Sequence, residues 1–277
     1  MYFDKEIISS RNNQFIKWAA SLSEKKNRNS SGYFMAEGIK LTCEALEAGL
    51  PVDYCIVSED KKDRVFSSLS PFFNMESCKE CKVVTVTASV FEKISTEKAP
   101  QGVISIIKHL DFFRDMDIIY KEDFFLKPDE RAILLCSVRD PSNLGAVIRS
   151  SVAFGTDHII MTDDCADIYN PKTIRSAMGS LFRVRATYIK SIQEFIDAAT
   201  LNDRRVYAAE LNDFAASLNE INIKSSDIII IGNEGHGIPE EVSALCDGSI
   251  YIPISKKTES LNASVAAAIF MWEQSKN

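Results

Sequence analysis

The sequence predicts an α/β protein with two domains, the second built on a doubly wound parallel sheet. Short apolar runs alternate along the chain with segments whose apolar residues recur at helical spacing, a pattern typical of strands separated by helices. Several of the runs end in glycine-rich or polar loops, and in parallel sheets ligands bind beyond the carboxyl ends of the strands. The 277 residues are enough for two hydrophobic cores.

The first predicted domain, residues 1–107, alternates helices and strands. Apolar residues between Asn12 and Leu22 follow a helical spacing, whereas Lys25 to Gly32 is basic and rich in Asn and Ser and predicts a loop. A helix is predicted from Gly38 to Ala48, with Gly49 ending it. The predicted strands of this domain are 33–36, 54–57, 83–86 and 103–107.

Residues 108–131 are charged and aromatic without a clean period, so they are predicted to be a linker. The second predicted domain, residues 132–277, opens with a strand from Ala132 to Ser137 and a helix that reaches Phe154. Its further predicted strands are 158–161, 206–209, 228–231 and 249–253, and its further helices begin near residues 170 and 262. About six short strands separated by helices predict the doubly wound sheet.

Composition argues against several classes of protein. The first ten residues carry charges without a long apolar run behind them, so we expect no secretory signal, and no stretch approaches the ~20 apolar residues of a membrane-spanning helix. Seven cysteines, an odd number, predict free thiols in a reducing cytoplasm. Cys78 and Cys81 form one C-x-x-C without a second pair, so we expect a structural role and no metal, because closed zinc sites need four ligands.

The charge pattern indicates a selective anionic partner. A net charge of −7 argues against indiscriminate binding of nucleic acid. Residues 1–40 nevertheless hold seven basic and four acidic residues, and residues 172–190 hold five basic residues and no acid. For either patch alone, a solvated charged face remains the alternative.

The loop from Gly232 to Gly237 follows an all-isoleucine strand and is the predicted ligand rim. Three glycines in six residues indicate positive φ angles or a close approach of a ligand to the backbone. Their spacing, G-x-x-G-x-G, is not a dinucleotide fingerprint. Glu234, with Glu240 and Glu241 behind it, disfavours a pyrophosphate and favours a neutral or cationic ligand, although the two later glutamates equally suit the first turn of a helix.

Two helices carry further candidates. Arg149 follows Gly145 by four residues, so the helix turn beside its guanidinium has no side chain and leaves room for a ligand group. The alternative is that Gly145 permits close helix packing while Arg149 faces solvent. The last helix is apolar on one face from Leu261 to Trp272 and largely alanine elsewhere, so we expect it to pack both inside the domain and against a second copy of the chain.

Three motifs in fixed order resemble those of the SpoU (TrmH-like) RNA methyltransferases of the SPOUT superfamily. They are Asn143-x-Gly145 with Arg149, residues 231–235 with Gly237, and Ile252-Pro253 followed by residues 260–266. Residues 170–182 are also similar to the family, as are residues 9–17, Arg28 with residues 32–38, and residues 100–102 in the first domain. The first domain departs from the family at Asn13, where proline is common.

The resemblance implies a C-terminal SPOUT-type α/β knot, with a parallel sheet and a deep trefoil knot, preceded by a small α/β RNA-binding domain. It implies S-adenosylmethionine as cofactor and a homodimer whose interface forms the active site. By motif match, the residues around the reacting centre are Asn143, Arg149, Glu234 and Asn262. The implied cofactor-binding residues are Leu211, Gly232, Ile252 and Leu261.

The implied activity is methylation of a ribose 2'-hydroxyl in structured RNA, with 23S ribosomal RNA favoured over transfer RNA. A cationic sulfonium suits a carboxylate-bearing rim. Arginine stays protonated, so we expect Arg149 to position a phosphate or the developing alkoxide rather than to act as a base. RNA recognition is assigned to the first domain, where Lys25, Lys26 and Arg28 are expected to contact RNA, and to residues 172–190. The alternatives are a non-catalytic RNA-binding or ribosome-assembly protein and, with less support, a nucleotide-dependent oxidoreductase.

Overall fold

The computed structural model describes residues 1–3, 6–75, 78–110, 113–116 and 126–276. The strands are β1 (Tyr2–Phe3), β2 (Tyr33–Glu37), β3 (Val52–Ser58), β4 (Lys82–Val86), β5 (Val103–Lys108), β6 (Phe113–Met116), β7 (Ala132–Leu135), β8 (His158–Thr162), β9 (Arg185–Ile189), β10 (Val206–Ala209), β11 (Ala216–Ser217), β12 (Ile228–Ile231) and β13 (Gly248–Tyr251). The α-helices are α1 (Gln14–Ser21), α2 (Lys25–Ser31), α3 (Ile39–Glu47), α4 (Lys62–Leu69), α5 (Ala88–Ile94), α6 (Pro141–Phe154), α7 (Pro171–Ala177), α8 (Ile192–Leu201), α9 (Glu240–Ser243) and α10 (Ala263–Gln274).

The chain packs as two units. Unit 1 comprises Met1–Leu110 together with Asp167–Arg183, and unit 2 comprises the described residues of 113–166 and 184–276. The domains predicted from the sequence, which place 167–183 in the second domain and 108–131 in a linker, stay a prediction. Residues 111–112 and 117–125 of the predicted linker lie outside the described residues, and residues 113–116 form β6.

Unit 1 contains a five-stranded mixed sheet in the order β1-β4-β3-β5-β2. β5 runs antiparallel to both of its neighbours, whereas β4 is parallel to β1 and β3. Helix α1 packs on the sheet through buried Ile16 and Ala19, and it begins where the side chain of Asn13 accepts a hydrogen bond from Phe15 N at 2.8 Å. An asparagine N-cap of this kind satisfies a backbone N–H group of the first helical turn.

Residues 167–183 join unit 1 through aromatic and helical contacts. The ring of Tyr169 stacks on Phe34 at 4.6 Å and on His109 at 4.2 Å between centroids, and its hydroxyl accepts a hydrogen bond from Leu110 N at 2.7 Å. Helix α7 then packs beside β2. The segment therefore completes the core of unit 1 although it lies far along the sequence.

The segment Lys25–Ser31 forms helix α2, so the predicted loop is wrong. Gly32, at φ 73°, ends the helix. Arg28 is only 1% exposed, and its guanidinium donates to the carbonyls of Leu22 and Ser23 at 2.8 and 2.7 Å. A polar helix held by one buried arginine has no apolar period for a sequence pattern to detect.

Arg28 also forms an ion pair with Asp167 inside unit 1. The guanidinium is thus buried and bonded to partners within unit 1, so the expectation that Arg28 contacts RNA is wrong. Lys25 and Lys26 on the same helix are exposed and remain candidates for that contact.

We expect Arg28→Ala to destabilise unit 1 by about 3–5 kcal/mol, because it leaves the partly buried Asp167 carboxylate and two carbonyl groups without a partner. Urea unfolding followed by the fluorescence of Trp18, in a Trp272→Phe background, reports this unit selectively, since these are the only two tryptophans. Lys25→Ala is the matched control on the same helix and should change stability by less than about 0.5 kcal/mol. Equal stability of the Arg28 variant and the parent would contradict a structural role.

Unit 2 contains an eight-stranded sheet in the order β11-β13-β10-β12-β7-β8-β9-β6, and all seven strand pairs are parallel. The predicted parallel sheet is therefore confirmed. β12 consists of four buried isoleucines between β10 and β7, which suits a strand covered on both faces. Three of its strands, β6, β9 and β11, were not predicted, because β6 lies in the charged linker, β9 carries polar residues and β11 has two residues.

Three general features concern function classes. Within the described ranges, no helix has both the length and the apolar character needed to cross a membrane. All seven cysteines are thiols, and Cys81 Sγ lies 3.6 Å from Cys55 Sγ in the interior of unit 1. Among the same residues, His, Cys, Asp and Glu form no group of three that could hold a metal ion.

Candidate active site

The candidate site lies at the carboxyl edge of the sheet of unit 2. β7, β12, β10 and β13 are neighbours and run in the same direction, so the loops that follow them leave the sheet at one edge. These loops comprise residues 136–140, 232–239, 210–215 and 252–262. Every predicted site residue except Arg149 lies in one of them or in the first turn of α6.

A hydrogen-bonded cluster joins three of the four residues predicted around the reacting centre. The side-chain nitrogen of Asn143 donates to Glu234 Oε1, and Asn262 Nδ2 donates to Asn143 Oδ1 at 3.0 Å. Asn262 also caps α10 by accepting from Ser264 N at 2.9 Å. Both ends of the Asn143 amide are thereby fixed.

Helix α6 places Asn143 at this point. Asp140 is its N-cap residue, and its carboxylate accepts hydrogen bonds from the backbone N–H groups of Ser142 and Asn143 at 2.6 and 3.2 Å. Pro141 occupies the first helical position, where its missing N–H is no loss. The side chain of Asn143 therefore projects from a helix start that is rigid.

The loop after β12 is closed by its own backbone. Asn233 and Gly237 exchange two backbone hydrogen bonds of 3.0 and 2.9 Å, and Gly237 adopts φ 67°. A Cβ atom on Gly232 would lie 2.5 Å from the backbone carbon and oxygen of Gly237, so position 232 admits no side chain. A Cβ atom on Gly235 would meet only Asn233 Oδ1, at 3.5 Å.

A second polar network supports this loop, and the sequence did not indicate it. Asn233 Nδ2 donates to the carbonyl of Ser137 at 2.8 Å, and Ser137, a non-glycine residue at φ 58°, donates its N–H to Thr162 and its hydroxyl to Asp164. Burial raises the pKa of Asp164, but hydrogen bonds from Arg139, Thr162 and Ser137 outweigh it and lower the pKa to about 2. The left-handed backbone conformation of Ser137 is strained, and its three hydrogen-bonding partners maintain it. Strained residues of this kind are common at functional sites.

Arg149 stands apart from the cluster. It lies six residues beyond Asn143 on α6, which turns its side chain about 120° away around the helix axis. Its side chain is exposed and makes no hydrogen bond or ion pair with any described residue. Within one chain it therefore does not join Asn143, Glu234 and Asn262.

A cleft of about 510 Å³ lies beside the cluster. Leu211, Ile252 and Leu261 line it, so three of the four predicted cofactor-binding residues come together, while Gly232 is not part of its wall. The remaining wall is formed by residues 209–210, 250–251, 253–256, 258–260, 266 and 270. Its volume suits a ligand of cofactor size, and Glu210 and Glu259 place carboxylates near a cationic one.

The all-parallel sheet, its glycine loop and the adjoining cleft define an α/β protein with a ligand site at the carboxyl edge of its sheet. The chain belongs to the SpoU rRNA Methylase family, whose model matches residues 130–272, more than half of the chain. The model of an MRM3-like substrate binding domain matches residues 13–105.

Relatives and solved structures cover nearly the whole chain. The 23S rRNA (guanosine(2553)-2'-O)-methyltransferase RlmP of Bacillus subtilis is 29% identical, over 97% of this chain and 98% of its own. The 23S rRNA (uridine(2479)-2'-O)-methyltransferase of Streptomyces viridochromogenes is 26% identical, over 96% of this chain and 90% of its own. The AdoMet-bound rRNA methyltransferase from Sinorhizobium meliloti superposes with a TM-score of 0.80 at 26% identity, over 98% of this chain and 97% of that one.

These findings confirm the predicted family, the fold class of its sheet and the predicted class of enzyme and methyl donor. The trefoil knot stays a prediction of the resemblance. The roles of the individual site residues also stay predictions, although the geometry brings six of the eight into the cluster or the cleft wall.

We expect Gly232→Ala to weaken S-adenosylmethionine binding at least tenfold and to destabilise unit 2 by about 1–3 kcal/mol, because the added methyl group must displace the Gly237 backbone. Gly235→Ala is the matched control in the same loop, since space exists for its Cβ atom. Calorimetric titration with the cofactor and thermal unfolding measure the two effects. If both variants bind the cofactor as the parent does, the close approach within this loop has no part in the site.

Proposed function

We propose that this chain transfers a methyl group from S-adenosylmethionine to a ribose 2'-hydroxyl of 23S ribosomal RNA. The observation that carries the proposal is that the Asn143 cluster adjoins a cleft of cofactor size at the carboxyl edge of the sheet. Asn262 belongs to the cluster, and the residue before it, Leu261, lines the cleft. Both the Bacillus and the Streptomyces relatives are 23S rRNA 2'-O-methyltransferases, which supports the 2'-hydroxyl and favours ribosomal over transfer RNA.

Methyl transfer to a hydroxyl needs the two reactants in line and a route for the hydroxyl proton. S-adenosylmethionine supplies an electrophilic methyl group when bound. Leu211, Ile252 and Leu261 would hold it in the cleft, while Gly232 lets the loop after β12 close tightly beside it. The carboxylates of the rim would favour its positive charge over an anionic ligand.

The cluster would act on the ribose. The Asn143 amide is fixed from both ends, so it can orient a hydroxyl without losing conformational freedom on binding. Glu234 and Asn262 hold the loop after β12 and the start of α10 around that amide. Arg149, as a permanent cation with five donors, suits a phosphate group or the developing alkoxide.

RNA binding is assigned to unit 1. Its match to a substrate binding domain supports this role, and the exposed Lys25 and Lys26 provide cations for phosphate groups. Seven thiols suit the reducing cytoplasm, where we place the enzyme.

A homodimer would bring Arg149 to the site. A groove of about 380 Å³ runs between α6 and α10, and Val265 and Trp272, about half exposed, lie in its apolar wall. Ala146 and Ser150 line the same groove, three residues before Arg149 and one after it, so Arg149 borders the groove. A second copy packed there would cover the apolar surface. Its Asn143 cluster would then receive the Arg149 guanidinium of the first copy.

The central test is methylation of a 23S rRNA transcript, with the modified ribose mapped by mass spectrometry. The parent protein should methylate one ribose. Asn143→Ala should lower kcat about 10²- to 10³-fold with the transcript still bound, because the orienting amide is lost. Ser142→Ala, one residue away, should remain active. No binding of S-adenosylmethionine by the parent would reject the function, and full activity of the Asn143 variant would reject its role.

Mixing two inactive variants tests the shared site. If Asn143 and Arg149 of one site come from different copies, a mixed dimer of Asn143→Ala and Arg149→Ala chains contains one site with both residues intact. We expect the mixture to regain up to about a quarter of parent activity, since about half the dimers are mixed after random exchange and each has one working site of two. A mixture as inactive as its components, with exchange of subunits demonstrated, would place both residues in one chain.

A further inference from the structure

An exposed aromatic ring lies on the loop that lines the cofactor cleft. Phe214 is 95% exposed, and Leu211, three residues before it and part of the cleft wall, is 76% exposed. Ile254, on the neighbouring loop, is another exposed apolar side chain of that wall. Single exposed apolar residues are ordinary, but three on the loops that follow two neighbouring strands form a patch that indicates a binding surface.

The loop holds Phe214 in place. The side-chain nitrogen of Asn212 donates to Glu210 Oε1 and to Ser249 Oγ, both at 2.9 Å, which ties the loop to β13. The side-chain oxygen of Asn212 accepts from Phe214 N at 2.9 Å, so the turn that presents the ring is closed by the same residue. Glu210 Oε1 also accepts hydrogen bonds from Ser249 at 2.7 Å and from Ser243. An exposed ring on a braced turn loses little freedom when a partner covers it.

The charges around the patch argue for a flat and uncharged partner surface. Lys256 and Lys257 lie on the loop of Ile254, and neither side chain forms an ion pair with a described residue. Asp213 on the loop of Phe214 and Glu259 on the loop of Ile254 carry carboxylates, so the two loops together have no net positive charge for a phosphate backbone. The face of a nucleobase suits such a surface, because every base offers a π-face and stacking does not depend on charge.

We propose that Phe214 stacks on a base of the RNA substrate beside the ribose that receives the methyl group. The inference rests on the proposed function, since the nucleotide must approach the opening of the cleft that holds the methyl donor. RNA that is modified within loops is recognised with its bases unstacked and placed on aromatic side chains. Phe214 is then an RNA-binding residue of the substrate site, separate from the cofactor wall.

The test compares Phe214→Ala, Phe214→Leu and Phe214→Trp in the full chain. Binding of a 23S rRNA transcript should weaken at least about fivefold in the alanine and leucine variants and recover in the tryptophan variant, because only tryptophan restores a planar ring. The slope of RNA affinity against salt concentration should stay unchanged, whereas loss of Lys25 and Lys26 should flatten it. S-adenosylmethionine affinity and the thermal midpoint should match the parent.

Leu201→Ala is the matched control. Leu201 is also an exposed apolar residue of unit 2, but it ends the helix that precedes β10 and thus lies toward the opposite end of that strand. The control variant should bind RNA as the parent does.

Three results would overturn the inference. Weaker binding of S-adenosylmethionine in Phe214→Ala would mean that the ring covers the cofactor, and a changed mass in sedimentation would mean that it contacts a second copy. Unchanged RNA affinity in Phe214→Ala, with the parent binding cofactor and methylating the transcript, would reject the stacking role while leaving the proposed function intact. A parent that neither binds the cofactor nor methylates RNA would remove the basis of both.

Discussion

The side-chain amide of Asn143 is the interaction on which the candidate site depends. It joins Glu234 and Asn262, which lie 91 and 119 residues further along the chain. The contact requires that α6 begins at Pro141, that the loop after β12 is closed between Asn233 and Gly237, and that α10 begins beside both. Each requirement follows from local chemistry: an Asp140 cap, a glycine without room for a side chain, and an Asn262 cap. The parallel sheet brings the start of α6, the loop after β12 and the start of α10 to one edge.

Much of this arrangement could be predicted from the sequence because local signals agree with one another there. The four isoleucines of β12 and the glycines after it identify a buried strand and a tight loop without knowledge of the fold. The family motifs supplied what spacing does not, namely that Asn143 and Asn262 belong to the same site. Contacts between residues that lie far apart in the sequence leave no periodic pattern in it. Only the resemblance therefore indicated that Asn143 and Asn262 belong together.

Several features that the sequence missed depend on tertiary contacts. Helix α2 depends on the buried guanidinium of Arg28, and a basic, serine-rich stretch gives no apolar stripe to reveal it. Residues 167–183 carry clear helix signals, yet the core in which they pack depends on contacts such as the stacking of Tyr169 on Phe34. The support of the glycine loop by Ser137 and Asp164 was also missed, because a left-handed serine has no sequence signature.

Charge explains why an acidic protein can still be a selective RNA enzyme. A net charge of −7 suppresses binding to arbitrary phosphate backbones, so a few placed contacts decide which RNA is held. Unit 1 presents Lys25 and Lys26 while committing Arg28 to its own core, and the cleft rim of unit 2 balances its lysines with carboxylates. Affinity that does not come from a general positive field has to come from shape, stacking and positioned donors. Shape and positioned donors distinguish one nucleotide from its neighbours, which the proposed methylation of a single ribose would require.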